Sequence, residues 1–227
     1  MRRVLFLIFG LAGLGVLLAL GTWQVQRLGW KQDLLAEIDA RIDGSPVLLP
    51  ETPDPESDRF LPVVLTGTVE SRELHVLASL KQIGAVYRVI SAFEVEGGRR
   101  ILLDRGVITT TRKNELRPSG AAQVAGNLHW PDEKDGFTPK PDVAGNIWFA
   151  RDLAAMAEIL KTEPLMVVAR EPVVSGTSVT PLPVDSAGIP NDHLQYAITW
   201  FSLALIWAVM IVFFLRRSRG TCKELVK

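Results

Sequence analysis

Two long runs of apolar residues bracket the chain, and between them polar and apolar positions mix in short stretches. The first run, Val4 to Leu20, reads VLFLIFGLAGLGVLLAL and reaches spanning length with Gly21, Thr22 and Trp23. The second, Tyr196 to Leu215, is about 20 residues without a charge; at ~1.5 Å of helical rise per residue it crosses roughly 30 Å, the thickness of a bilayer's hydrocarbon core. Both are expected to be membrane helices. The first exceeds a normal signal-peptide core, and the GTWQVQRLGWK that follows offers no small-x-small cleavage site, so an uncleaved anchor is expected. Within it Ala12, Gly15 and Ala19 form a small-residue face against which the second helix is expected to pack.

The intervening segment changes period. Trp30 to Asp43 places Leu34, Leu35 and Ile38 at helical spacing before Gly44-Ser45-Pro46, which predicts a short amphipathic helix. Leu49 to Arg59, with Pro50, Pro53 and Pro55, predicts a polar loop. Strand-like runs follow at Phe60 to Val69, Glu73 to Leu80, Val86 to Val95, Arg100 to Ile108 and Gln123 to Trp130, with Gly97-Gly98 as a hairpin turn. Ala150 to Lys161 predicts a helix with Leu153, Met156, Ala157 and Leu160 on one face; Leu165 to Ala169 predicts a further strand, and Leu182 to Pro190 a return linker. The expected fold is a two-helix membrane hairpin carrying an extracytoplasmic α+β domain, its sheet mainly antiparallel and curled into a barrel or sandwich. The expected divisions are 1–23 for the first span, 24–190 for the domain, 191–215 for the second span and 216–227 for a cytoplasmic tail.

Charge sets the orientation. Arg2 and Arg3 precede the first span, and Arg216, Arg217, Arg219 and Lys223 follow the second, so both termini are expected in the cytoplasm and the domain outside. Over 227 residues, 25 basic side chains balance 25 acidic ones, and mean hydropathy is +0.20, so no positive field favours nucleic acid. Cys222 is the sole cysteine, which excludes a disulfide framework within one chain and covalent haem attachment through C-x-x-C-H. No nucleophile elbow, phosphate loop or H-E-x-x-H appears, and an enzyme is not expected.

The chemistry concentrates where the second span begins. At 100° per residue His193, Ala197, Trp200, Ala204 and Trp207 share one narrow stripe, with Tyr196 at its border. An imidazole, small gaps and indoles suit a flat apolar ligand such as haem, whose iron neutral imidazole binds. The same residues also serve as ordinary interfacial anchors, and both readings stand. Asp192 is expected to cap the helix; His75 and His129, in strand contexts, are expected to be structural.

Several pieces in order, GTWQVQR at 21–27 with Lys31, Asp104-Arg105-Gly106, Trp148-Phe149-Ala150-Arg151-Asp152 with Met156-Ala157, and PNDHLQYAITWF at 190–201, resemble the Surfeit locus protein 1 family of cytochrome c oxidase assembly factors. The chain departs from the family pattern in reading Asp104-Arg105-Gly106-Val107 for Asn-Arg-Gly-Trp, and Asn191-Asp192-His193 for Asn-Asn-His. The resemblance implies a non-catalytic two-span protein that binds haem a non-covalently and assists its insertion into the haem-bearing core subunit of the oxidase. The alternative it leaves is a scaffold that stabilises assembly intermediates without touching haem. On this reading His193 is the axial iron ligand, Trp200, Trp23 and Tyr196 surround the ring, and Arg27 or Arg105 meets the propionates. Implied partners are haem a, the oxidase core subunit and the lipid membrane, with haem a synthase a further candidate. Because the apolar run begins almost at Met1, a bacterial inner membrane and a periplasmic domain are expected rather than a mitochondrion.

Overall fold

The structure is a computed structural model that describes residues 2–81 and 83–224. Side chains of residues 1–3 and 218–227 lie outside the description, and with them Arg2, Arg3, Arg219, Lys223 and Cys222. The chain divides into two compact units, Met1–Glu37 with Ala187–Lys227, and Ile38–Ser186.

Two helices are long and apolar enough to cross a membrane, α1 (Arg2–Ile42), whose residues to Glu37 belong to the first unit, and α3 (His193–Glu224), which lies in it. α1 is continuous, where the sequence predicts an anchor followed by a separate short helix. No proline interrupts residues 23–30, and Gly29, a Cβ at which would meet nothing within 4 Å, costs the helix only its intrinsic propensity. α1 stops where Gly44 follows it, and the Ile42 carbonyl accepts from Asn127 Nδ2 at 3.0 Å and from the Arg170 guanidinium. Those side chains satisfy an oxygen that a helix end leaves without a partner.

The second unit is a mixed sheet. Its strands are β1 (Val47–Leu48), β2 (Pro62–Leu80), β3 (Gly84–Val95), β4 (Arg100–Thr109), β5 (Gly120–His129) and β6 (Met166–Ala169), and α2 (Leu153–Leu160) precedes β6. Their order is β1-β2-β3-β4-β6-β5, and β5 pairs again with β2. The expected strands at 60–69 and 73–80 are one strand, β2, shifted in register between Val69 and Glu73, where Glu70-Ser71-Arg72 interrupts the apolar alternation. The sheet is mainly antiparallel, as expected, with β2–β3, β2–β5, β3–β4 and β5–β6 all antiparallel; two short pairings, β1 with β2 and β4 with β6, are parallel. The second arises because the chain crosses through α2 before β6 returns beside β4, and such a crossover delivers a strand in the same direction.

Side chains alternate across β4, so Ile101 and Leu103 pack with Phe93, Val63, Leu128 and Val167 on one face. Leu102 packs on the other with Ile90, Met166, Trp148 and the α2 residues Met156 and Leu160. Asp152 caps α2 by accepting from the Ala155 N–H at 3.2 Å. The Gly97-Gly98 turn forms as expected, both residues taking positive φ between β3 and β4.

Candidate functional site

α3 opens at His193, and the Tyr196 N–H donates to the Asp192 backbone carbonyl at 3.2 Å, which makes Asp192 the residue preceding the helix. Along α3, Ala197, Ala204 and Ile211 recur every seventh residue and are buried, which makes this the face turned to α1. On α1 the corresponding residues are Gly10, Gly21 and Gln24, also buried. A Cβ at Gly13 would lie 3.1 Å from Trp207 Nε1, and one at Gly21 would lie 2.8 Å from the Phe201 ring. Trp207 Nε1 in turn donates to the Gly10 carbonyl at 2.9 Å.

The pairing is as expected; the glycine face is not. Ala12, Gly15 and Ala19 are exposed, and a Cβ at Gly15 would meet nothing within 4 Å. Small residues permit close approach on any face, and the bulky Trp207 and Phe201 select Gly13 and Gly21 because only those positions leave room for their rings.

His193 is directed across the pair. Its Nδ1 lies 2.8 Å from Gln24 Oε1. With the Gln24 amide oxygen accepting, Nδ1 is the donor, and in that neutral tautomer Nε2 carries the lone pair. Gln24 was absent from the expected site residues; its signal was a buriable amide at the end of an apolar run, one residue after Trp23.

The remaining expected site residues are placed less closely. Trp200 is half-buried, on the His193 stripe. Trp23 is 53% exposed and Tyr196 55%, both at the His193 end of the helix pair. Arg27 is exposed, its guanidinium carbon 4.0 Å from the Trp30 ring centroid on the same helix.

The Ile38–Ser186 unit buries two charge networks. Asp104, 0% exposed, accepts from Arg88 Nε at 2.8 Å and from Arg151 Nη1 at 3.3 Å, while Glu133 takes Arg151 Nε at 3.0 Å. Glu73 Oε1 lies 2.7 Å from His75 Nε2 and accepts from Arg117 Nε at 2.7 Å, with Arg105 Nη1 3.9 Å from its other oxygen. Burial pulls the Glu73 carboxyl upward, but the hydrogen bonds from His75 and Arg117 outweigh it and leave the pKa lowered. Arg105 is only 2% exposed, which removes it as a surface partner for propionates. Burial lowers its pKa from the ordinary arginine value, against the pull of Glu73. Arg105 lies within β4 rather than at its end, and its side chain turns inward toward the Glu73 carboxylate on β2.

Asp104-Arg105-Gly106 is thus internal wiring. Gly106 has φ +116°, and a Cβ there would fall 2.1 Å from the Thr180 carbonyl oxygen. The return strand passes at Thr180, exchanging two backbone hydrogen bonds with Val107, and Arg88 Nη2 holds the Leu182 carbonyl at 3.1 Å. His75 and His129 take part in packing as expected: His129 stacks on Phe60 with centroids 5.6 Å apart, and burial, helped by Arg151 and Arg59, lowers its pKa to about 4.

Among the described residues no group of three or more His, Cys, Asp or Glu side chains is arranged to hold a metal ion. A single imidazole with its second nitrogen anchored fits a group that brings its own equatorial ligands.

Comparison with known proteins places these features in a family. A profile described as the SURF1 family matches residues 11–205, from α1 into α3. Surfeit locus protein 1 of Xenopus tropicalis is 33% identical over 215 residues, covering 82% of this chain and 67% of the frog protein. The Homo sapiens protein of the same name is 31% identical over 234 residues, 89% of this chain and 74% of its own length. A SURF1-like protein of Dictyostelium discoideum is 26% identical over 88% of this chain and 91% of its own. These relatives are eukaryotic, and the expectation of a bacterial type gains no support from them.

Proposed function

The chain belongs to the SURF1 family, and from that premise we propose that it binds haem a at the mouth of the α1–α3 pair and assists its insertion into the core subunit of cytochrome c oxidase. Membership supports a general role in oxidase assembly and a non-catalytic protein, and the two apolar helices support a two-span membrane protein.

The observation that carries the finer reading is the hydrogen bond between His193 Nδ1 and Gln24 Oε1. It fixes the tautomer and ring orientation, as the partner of a metal-bound histidine does, and leaves Nε2 as the ligating atom. Haem a, when bound, supplies an iron in need of an axial nitrogen, an apolar macrocycle with a long isoprenoid tail, and two propionates. His193 would hold the iron. Trp23, Trp200 and Tyr196 offer indole and phenol faces at the same end of the helices, and Arg27 an exposed cation for a carboxylate. The lipid-facing flanks of α1 and α3 would take the tail, each buried methylene contributing about 0.8 kcal/mol.

We place both chain ends on the cytoplasmic side, from Arg216 and Arg217 after the second span and Arg2 and Arg3 before the first. Reporter fusions after Arg217 and near Ser119 test this, the first behaving as cytoplasmic and the second as exported.

A second reading is favoured by the same bond together with that from Trp207 to Gly10. Polar links between membrane helices also act as glue, and a scaffold for assembly intermediates needs no haem. Protein purified from cells that make haem a separates the two. A haem a Soret band that disappears with His193 supports binding; colourless protein that still captures the oxidase core subunit supports the scaffold.

A further inference from the structure

The helix pair carries a trough along one flank. Gly13, Val16 and Leu17 of α1 and Leu203, Ile206 and Trp207 of α3 enclose a space of about 420 Å³. A smaller hollow of about 120 Å³ continues it past Trp207, between Phe9 and Met210. These side chains are all apolar, and their one polar hydrogen, on Trp207 Nε1, is already donated to the Gly10 carbonyl at 2.9 Å. The trough therefore offers hydrocarbon alone and suits an occupant without polar groups.

Periodicity shows where the trough leads. The buried stripe of α3 is Ala197, Ala204 and Ile211, and one residue before each stand Tyr196, Leu203 and Met210, all exposed. On α1, Gly10 and Gln24 are buried; one residue before them stand Phe9 and Trp23, exposed, with Val16 midway between. Side chains seven apart lie nearly on one line along a helix, so Phe9, Val16 and Trp23 form one rim and Tyr196, Leu203 and Met210 the other. The helices run in opposite directions, because Gln24 meets His193 and Trp207 meets Gly10. The rims accordingly open between Trp23 and Tyr196, at the end where His193 stands. On the other side of the buried stripe the same level is filled, since the Phe201 ring lies 2.8 Å from where a Cβ on Gly21 would be.

The rims also select what enters. A third membrane helix, about 10 Å across, needs small residues where it touches, and these rims carry Phe9, Val16, Leu203 and Met210. A single hydrocarbon chain fits between them. A lipid acyl chain has the same chemistry, but nothing at the imidazole end tethers it; a chain attached to a ring held at His193 is presented to the trough at high effective concentration.

We infer that this trough holds the isoprenoid tail of the haem and makes the site select farnesylated haems over tailless ones. The inference rests on the His193 reading and adds to it a flank, a depth and a selectivity. Leu203 lies ten residues beyond His193, about 15 Å along the helix at ~1.5 Å per residue. A tail of about twelve carbons in line reaches roughly 14 Å at ~1.2 Å per bond, so one that leaves a ring at His193 ends between Val16 and Leu203.

The test uses the full chain in lipid nanodiscs incubated with equal amounts of haem o and haem b, which differ in the farnesyl-bearing group that replaces one vinyl. The protein is recovered, its haems are extracted and separated by chromatography, and empty discs correct for partition into lipid. The parent protein is expected to retain haem o at least tenfold over haem b. Leu203→Trp and Val16→Trp, which put an indole into the trough from either rim, should each cut that ratio at least fivefold and leave haem b content unchanged. Gly15→Trp places the same bulk where nothing lies within 4 Å and should keep the parent's ratio. A ratio near one in the parent, as expected if lipid fills the trough, or an unchanged ratio in both trough variants overturns the inference and leaves the His193 reading in place. An equal fall in Gly15→Trp overturns it too, because bulk anywhere on the pair would then suffice. His193→Ala should lose both haems; retention of both would sink the His193 reading and this inference with it.

Discussion

His193 Nδ1 and Gln24 Oε1 lie 2.8 Å apart across 169 positions of sequence. One residue begins the second membrane helix and the other sits near the end of the first apolar run, so the bond links the two helices and orients an imidazole at once. Both consequences can be measured separately.

His193→Ala is expected to lose haem a with little loss of folded protein, because a polar link between membrane helices contributes only about 1 kcal/mol. His193→Met, whose thioether can bind iron, should retain some haem with an altered spectrum. Gln24→Leu keeps the ligand and removes its orientation, and haem affinity should fall by roughly 10–100-fold. Unchanged haem and spectra in all three variants would leave the scaffold reading.

The helix pair should distinguish its glycines. Gly13→Leu forces a side chain into Trp207, whose indole is pinned by Gly10, and should cost about 1–3 kcal/mol of thermal stability in detergent. Gly15→Leu should be near neutral, since nothing lies within 4 Å of its Cβ position. Equal effects at the two positions would contradict the observed packing face.

Gly106→Ala combines a backbone clash with Thr180 and a positive φ, and should cost about 3 kcal/mol or more. Gly84 also has positive φ, +85°, but open space around it, so Gly84→Ala should cost only about 1 kcal/mol. Limited proteolysis of the full chain would show the first opened at the return strand and the second resistant.

Acid should weaken the β domain before its carboxylates titrate. His129 has a folded pKa of about 4 against an ordinary 6.5, so the unfolded chain binds more protons between those values. Stability is therefore complete above pH 6.5 and declines as pH falls toward 4, by at most about 3 kcal/mol. Glu73 and Glu133, whose pKa values are lowered from 4.5, add their losses only below that value. His129→Phe preserves the stack on Phe60 and should flatten the melting temperature between pH 6.5 and 5; an undiminished slope would show that another group titrates there.

Residues 38–186 should fold as a soluble β-rich domain without haem, since both core clusters lie within them and His193 does not. Starting the fragment at Gly44 should lower its melting temperature, because Asn127 and Arg170 lose the Ile42 carbonyl. Far-ultraviolet circular dichroism and haem titration check both statements. Specific haem a binding by the fragment would move the site away from His193.

The sequence by itself determined the elements whose physics is local. Twenty uncharged residues must form a helix in lipid, and alternating Val, Leu and Ile must form strands, so β3, β4, α2 and the start of α3 lie within a few residues of expectation, while α3 runs on to Glu224, nine residues past the expected end of the span at 215. The Gly97-Gly98 turn was legible for the same reason, as were the structural roles of His75 and His129; the stripe of His193, Ala197, Trp200, Ala204 and Trp207, expected to face a flat apolar ligand, instead has Ala197 and Ala204 buried and Trp207 bonded to Gly10. Tertiary structure alone decided which small face of α1 meets α3, because Ala12-Gly15-Ala19 and Gly10-Gly13-Gly21 have similar spacing and only the rings of Trp207 and Phe201 tell them apart. It also decided that Arg105 turns inward to Glu73, that β6 runs parallel to β4, and that Gln24 holds His193. Each depends on a partner distant in sequence. A periodic pattern states which face an element hides, and the partner against which it is hidden is settled only when the whole chain packs.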